Sequence, residues 1–557
     1  MSKIIDNNYY DLIISNITAP SYDTGDNITL LSERNSLLHV LRSQIEPCDL
    51  GSQPYNSFPS LYTLESTVSI EKSGIGTVQR NPFLSLFGRG IVIGVIDTGI
   101  DYQHQAFLNN DGTTRIVSIW DQSIQTGPVP EGFTFGTEYT REAINQALSS
   151  EDPLSVVPSV DTNGHGTAIA SIIAGNQNDE VSFSGIVPES ELIIVKLKEA
   201  KQNLKDIFFV KEDALCFQES DIQLGARYML LASQKLGRPV VICIALGSSQ
   251  GGHDGRGLLS SYLTYIVQLP GIGVSVSAGN EGNKRRHYFN STAVTPFYND
   301  FELRIGENDK LLWMELWPYA PERITIDVSS PNRESTLRVY PTIGECRRFD
   351  FIFTQSVIWV NNIVLEEETG DQLILIRFQN PAPGIWYFRA QSVEEEPFSF
   401  HCWLPNGDII SDDTFFLNPN PDTTITSPGN GANQLTVTAY NHLNDSILGE
   451  SSRGYTRNGL VKPDIGAPGF QLPCAVPGNL YGTATGTGAA CAHAAGIVAM
   501  VMEWAIPRGN YISMTGNDVN RLIIRGARRT TTEVYPNNVW GYGQIDINNL
   551  FEQLTNI

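Results

Sequence analysis

The 557-residue sequence is long enough for a large core with added units. Its 60 acidic against 37 basic residues give a formal charge of −23, which argues against nucleic acid and anionic membrane surfaces as partners. The seven cysteines (48, 216, 243, 346, 402, 474, 491) are scattered and show no CxxC spacing, so free thiols in a reducing compartment are expected, with no disulfide scaffold and no zinc site.

No stretch reaches the roughly 18 consecutive apolar residues of a membrane span. The start, Met1-Ser2-Lys3-Ile4-Ile5-Asp6, lacks the basic and long apolar regions of a secretory signal, so export by that route is not expected.

Taken in order, Tyr9 to Ser15 reads as a strand, Leu37 to Ser43 as a helix, and Leu61 to Leu64 as a second strand. Residues 1–80 are expected to form a small α+β unit. The segment from Arg80 to Gly90 has turn chemistry at both ends and reads as a linker. Ile91 to Ile96 is a continuous β-branched run ending in Asp97-Thr98-Gly99, the pattern of a strand buried on both faces of a parallel sheet. Strands and helices then alternate. Ala168 to Ala174 is helical with Gly175 as its stop. Leu192 to Leu197 is a strand. Ile222 to Leu236 is a helix with Ser220 and Gln223 as its capping box, and Val240 to Leu246 and Val274 to Ala278 are strands.

Between 291 and 415 the texture changes to short apolar runs separated by Pro, Gly, Asn and acidic turns, such as Leu311 to Leu316, Ile324 to Val328, Leu373 to Phe378 and Trp386 to Ala390. That predicts an inserted β-sandwich. Leu435 to Tyr440 resumes the α/β pattern, which runs to the end and includes a buried helix through Ile497 to Trp504.

Four sites carry possible chemistry. Asp97 ends an apolar strand. His165 lies in Asn163-Gly164-His165-Gly166-Thr167 at a helix start. Asn280 lies in a Gly-rich turn after a strand, and Gly486-Thr487-Gly488-Ala489-Ala490-Cys491-Ala492-His493 opens the last long helix. Acyl transfer needs an acid that orients a His, a His that takes a proton, a nucleophile, and donors for the oxyanion. Each site alone also reads as turn, cap or packing chemistry; together they follow that order along the chain. A second Asp-Thr-Gly, at Asp23, raises an aspartic dyad as a rival. It is flanked by turn residues and leaves His165, Asn280 and Gly488 unexplained.

The arrangement resembles the subtilisin-like serine proteases over residues 90–290 and 425–557. Further features are similar to the Csp germination proteins of spore-forming clostridia: Ile100-Asp101-Tyr102, the loop Gly251-Gly252-His253-Asp254-Gly255, Glu281-Gly282-Asn283, the sandwich insertion and Trp540 to Asp546. The resemblance implies a prodomain (1–80), a subtilase α/β domain in two parts (81–290 and 416–557) and an inserted jelly-roll β-sandwich (291–415). It also implies that Asp97 is the triad acid, His165 the triad base and Asn280 the oxyanion donor. At the nucleophile's position stands Gly488, and Ala492 stands where the family motif has Pro.

Glycine cannot attack a carbonyl, so the resemblance points to the pseudoprotease branch of that family, the CspC or CspA type. It implies a regulator of spore germination, located in the spore, upstream of cortex-hydrolase activation. Its expected partners are other Csp proteins and a small germinant, a bile salt or an amino acid, with no cofactor and no metal. The alternative is an active endopeptidase with an unrecognised nucleophile, or an engineered inactive variant. Cys491 and His493 read as packed core residues. Arg453 and Arg457, in a Gly-containing loop, are candidate contacts for an anionic ligand. Self-cleavage near Thr77 to Arg80 is expected not to occur, leaving the prodomain attached with its tail in the groove.

Overall fold

A computed structural model describes residues 2–17, 27–46, 53–69, 86–181, 183–291 and 297–555. The second Asp-Thr-Gly, the linker up to residue 85 and the segment 77–80 lie outside these residues.

A nine-stranded sheet forms the centre. Across it run Leu435–Asn441, Ile272–Ser277, Val240–Ile244, Val92–Asp97, Glu191–Lys196 and Ile116–Asp121, neighbours in parallel. Short antiparallel strands, Ser446–Ile447 and Thr137–Thr140, close its two edges. The period-2 alternation of a strand sends Ile93 and Val95 to one face and Val92 and Ile96 to the other. Helices His165–Ala174 and Thr487–Ala505 cover the first face, and Glu219–Leu236 and Leu258–Ile266 the second. This is the expected subtilisin-like α/β architecture, and it explains why the strands read as continuous apolar runs. Thr487–Ala505 is long and apolar enough by composition to cross a membrane, but 89% of its apolar window is buried in the core.

The insertion is two facing antiparallel sheets, one of six strands and one of four. Strand His287–Asn290 already belongs to the six-stranded sheet, and Phe415–Phe416 ends the four-stranded one. The strands Leu311–Pro318 and Leu373–Gln379 of the six-stranded sheet are buried on both faces. Met314, Ile376 and Phe378 are buried in the insertion's own core. On the other face, Glu315 accepts a hydrogen bond from Tyr55 and Arg377 donates to the Ile207 carbonyl, so the insertion is also packed onto the N-terminal unit and the α/β domain.

That unit departs from expectation in one element. Residues Asn35–Leu41 form the central strand of a three-stranded sheet, between Tyr9–Ser15 and Ile28–Leu30, and not a helix. Pairing with Tyr9–Ser15 overrides a local pattern that suits both states. The helix Glu219–Leu236 also starts earlier than its apolar spacing implies, and its N-cap, Gln218, makes no side-chain cap bond, so Ser220 and Gln223 are not a capping box. Cys346 is disulfide-bonded to a partner outside the described residues, which corrects the expectation of free thiols throughout. Cys216, Cys243, Cys402, Cys474 and Cys491 are free and buried.

A buried charge cluster fastens the N-terminal sheet to the α/β domain. Asp11 Oδ1 accepts from Lys201 Nζ at 2.8 Å and from His39 Nδ1 at 2.7 Å, with all three side chains almost wholly buried. Removing one partner of such a pair strands the other charge without water. Asp11→Ala is therefore expected to destabilise the docked N-terminal unit by about 3–5 kcal/mol, read as a lower urea midpoint for its release. A change within a few tenths of a kcal/mol would show that the pair is not holding the interface.

Candidate active site

Asp97, at the C-terminal end of its strand, is fully buried, and its Oδ1 lies 2.8 Å from His165 Nδ1. The same oxygen accepts the Thr98 N–H at 2.7 Å. With Nδ1–H donated to the carboxylate, His165 Nε2 is left as the acceptor facing the groove. Asp161, which the sequence reading passed over, locks the two motifs together. Its Oδ1 accepts from Thr98 Oγ1 at 2.8 Å, and its Oδ2 accepts from Thr167 Oγ1 at 2.6 Å and from the Thr167 N–H at 2.9 Å. The Thr98 hydroxyl in turn accepts the Gly166 N–H at 2.9 Å. The threonines of both motifs are thus struts between the strand end and the helix start.

Asn280 follows the strand Ile272–Ser277. Its Oδ1 accepts from the Thr487 backbone and hydroxyl, at 3.1 and 3.0 Å, which aims its Nδ2 into the groove. Gly488 is the second residue of its helix, so its N–H has no partner within the helix and also points into the groove. The structure therefore brings Asp97, His165, Asn280 and Gly488 together as the motif order predicts.

The groove they line is filled by the chain itself. Strand Leu61–Leu64 pairs antiparallel with Leu246–Gly247 on one side and Phe217–Gln218 on the other, and the Glu65 N–H donates to the Ala245 carbonyl at 3.1 Å. Past the centre, Thr67–Ser69 pairs with Leu480–Thr485. At the centre, the Glu65 carbonyl oxygen accepts from Asn280 Nδ2 at 2.5 Å and from the Gly488 N–H at 2.9 Å, the two-donor geometry of an oxyanion hole. Ser66 Oγ lies 2.6 Å from His165 Nε2, so a hydroxyl from the bound strand holds the bond that a nucleophile on residue 488 would make. A Cβ built on Gly488 would stand 3.2 Å from the Glu65 carbonyl carbon and 3.1 Å from its oxygen. The peptide bond presented where attack would occur is Glu65–Ser66.

The Glu65 side chain is 2% exposed. It enters a pocket that exists because residue 247 is glycine: a Cβ there would come within 2.1 Å of Glu65 Oε1. Thr426 Oγ1 donates to that carboxyl at 3.4 Å. Burial, and then the neighbouring charge of Glu281, push the Glu65 carboxyl well above the usual carboxylate range.

Other candidates are not brought to this centre. Cys491 is buried, its sulfur 3.5 Å from that of Cys243, and belongs to the core beneath the helix. His493 is buried too, and burial followed by the nearby His442 pushes it down to about 4. Arg457 is not an open anion contact: it is 7% exposed, bonded to Asp371 and to the Gly252 carbonyl, and it lies over the Trp317 and Tyr319 rings. Arg453 is half-exposed, with its backbone paired to Thr424. Among the described residues, no cluster of three or more His, Cys, Asp or Glu could hold a metal ion.

Comparison with known proteins agrees with this geometry. The profile of the Subtilase family matches residues 88–300 and 406–543, the two segments that contribute Asp97, His165, Asn280 and Gly488. The chain belongs to the subtilase family. The unmatched stretch between them falls on the β insertion. Among solved subtilases, the chain is similar to the CspB protease of Clostridium perfringens, with 29% identity, a TM-score of 0.76, and coverage of 86% of this chain and 97% of that one. It is 23% identical over 446 residues to the C5a peptidase of Streptococcus pyogenes, matching 75% of this chain but 35% of that protein. It is 23% identical over 479 residues to the subtilisin-like protease SBT3 of Solanum lycopersicum, covering 56% of it. The chain thus spans about a third of the length of the streptococcal relatives, 35% in the first of them.

Proposed function

We propose that this subtilase is a pseudoprotease, which binds in its groove but does not cut other proteins. The observation that carries the reading is the state of the centre: Glu65 and Ser66 occupy the oxyanion donors and His165, and residue 488 offers no atom to attack with. Thr487 cannot stand in, because its hydroxyl is bonded to Asn280 Oδ1. Cys491 cannot, because it is buried in the core. In this reading residues 1–80 act as a prodomain that remains seated in the groove, and the intact Asp97–His165 pair serves to hold it there.

Similarity to the CspB protease supports placement among the Csp germination proteins. The chain is then a spore component that acts through contacts with other Csp proteins and with a small germinant, upstream of cortex-hydrolase activation. The CspC or CspA type is the branch that a glycine at the nucleophile's position fits.

A fluorophosphonate probe and a casein assay test the reading on the full chain. The expected result is no labelling, no casein cleavage, and a single band at 61.4 kDa. Labelling or steady turnover of casein would instead favour the active-endopeptidase reading.

A further inference from the structure

A cavity of about 50 Å³ lies where the N-terminal unit, the α/β domain and the insertion meet. None of Asp97, His165, Asn280 or Gly488 lines it. Its floor includes the loop Gly251–Gly255, which the sequence reading singled out and the groove does not use. Four carboxyl groups line it: Glu219, Asp254, Glu366 and Glu368. Asp254 has Arg256 Nε at 3.6 Å. The donors to Glu219 and Glu366 are neutral: the Leu259 and Ser60 N–H groups at 2.9 and 3.3 Å for the first, and the Thr369 N–H and hydroxyl at 2.9 and 2.8 Å with the Glu368 N–H at 3.2 Å for the second. At the mouth, burial of the Glu368 carboxyl and the charges of Glu366 and Glu219 push it up to about 8. The wall is short of positive charge. The aromatic residues Tyr55, Phe58 and Trp317 complete it.

Gln250 makes a second and different demand. It is 4% exposed and lines the cavity, and its Oε1 accepts the Leu61 N–H at 2.7 Å, which fixes the amide's orientation. Its Nε2 is buried with no partner. A buried donor left unmade costs about 1–3 kcal/mol, so the cavity calls for an acceptor as well as a cation. A bare metal ion meets the second demand poorly, since it would face an N–H donor.

We propose that this cavity binds a small organic ammonium compound that also carries a hydrogen-bond acceptor, of the size of an amino alcohol or the smallest α-amino acids. The inference rests on the reading of the chain as a ligand-responsive pseudoprotease and gives the ligand a place. The ammonium lies among the carboxylates and aromatic faces, and the acceptor takes the Gln250 Nε2–H. A single water needs about 10–15 Å³ on the same scale, so the space suits a few non-hydrogen atoms. Ser60 lines the cavity and Leu61 is bonded to Gln250, so the ligand stiffens the start of the strand that fills the groove.

Calorimetric titration of the full chain with ethanolamine and glycine, with methylammonium and Ca²⁺ as comparators, tests this. Saturable binding of ethanolamine or glycine at millimolar or lower concentration is expected, with Ca²⁺ failing to compete. Glu368→Gln removes an acid that a bound ammonium would hold ionised, and is expected to weaken both ligands about tenfold, the value of one charge-assisted contact. Gln250→Glu keeps an acceptor for Leu61 but replaces the free donor by an anionic oxygen. It is expected to tighten methylammonium and weaken glycine, whereas simple damage to the fold would weaken both. No saturable binding, parallel weakening of both probes in Gln250→Glu, or displacement by Ca²⁺ would each overturn the proposal. These outcomes are independent of fluorophosphonate labelling: a labelled chain that still binds ethanolamine refutes the pseudoprotease reading alone, and an unlabelled chain that binds neither probe refutes this site alone.

Discussion

Gly488→Ser is expected to make the chain cut itself once, between Glu65 and Ser66. The bond is already presented as a substrate: its carbonyl oxygen lies 2.5 Å from Asn280 Nδ2 and 2.9 Å from the Gly488 N–H, and β-pairing fixes the backbone on both sides. The missing group would project from a Cβ 3.2 Å from the carbonyl carbon. That contact is tight, so the strand must yield by a few tenths of an ångström. Overpacking of this kind costs about 1–3 kcal/mol, which displaces the strand slightly without ejecting it. In subtilisin, loss of the nucleophile lowers turnover by about 2 × 10⁶, so a serine recovering only one-hundredth of that factor would still raise the rate about 10⁴-fold.

One competitor stands in the way. His165 Nε2 is engaged by Ser66 Oγ at 2.6 Å, and the new hydroxyl must take that bond. Gly488→Ser with Ser66→Ala should therefore cut faster than Gly488→Ser alone, and adding His165→Ala should stop it. Intact-mass measurement would show fragments 1–65 and 66–557 in place of the 61.4 kDa chain. The fragments should co-elute on gel filtration, because the pairings of Leu61–Leu64 do not depend on the severed bond. A chain that stays whole in the double variant would mean that the groove has departed from catalytic geometry in more than the absent hydroxyl.

The sequence made the scaffold and four of the central residues legible because each answers a local backbone demand. Asp97 ends a strand, His165 and Gly488 open helices, and Asn280 closes a Gly-rich turn. What was illegible depends on long-range pairing. Leu61–Leu64 reads as a strand, but nothing in four residues says that its partners are Phe217–Gln218 and Leu246–Gly247, so the occupants of the centre, Glu65 and Ser66, could not be found. The expected groove-filling tail, 77–80, lies outside the described residues; the strand described in the groove lies earlier in the chain. Asp161 is a lone loop carboxylate until Thr98 and Thr167 close on it. Arg457 looks like an open loop charge until Asp371 is placed beside it. The helix expected at Leu37 to Ser43 failed for the same reason, since Asn35–Leu41 takes its state from the strands on either side.

The hold of the groove strand is expected to weaken as pH rises, through Glu65. In the groove its carboxyl is raised well above the ordinary range by burial and then by Glu281; released into water it returns to that range. The docked state therefore binds more protons than the released one between those two values. Linkage fixes the sign: docking is at full strength below the ordinary carboxylate pKa of about 4.3. It loses about 1.4 kcal/mol per pH unit as pH climbs from there towards the raised value. The groups facing this carboxyl are the Thr426 hydroxyl, the Asn406 amide and Glu281, and Glu281 has Arg286 Nη1 at 3.5 Å. Other ionisable groups contribute to the pH profile of the native chain, so that profile alone does not isolate Glu65. Glu65→Gln does, because the amide fills the same pocket, keeps an acceptor for Thr426 and carries no proton to lose. Hydrogen exchange of residues 61–69 should accelerate with pH in the native chain beyond the intrinsic base-catalysed rise. Glu65→Gln should follow only that intrinsic rise, so the advantage in protection of its strand over the native one should widen steadily from pH 5 to pH 8. Equal protection of the two chains across that range would show that the buried acid does not govern how firmly the groove is closed.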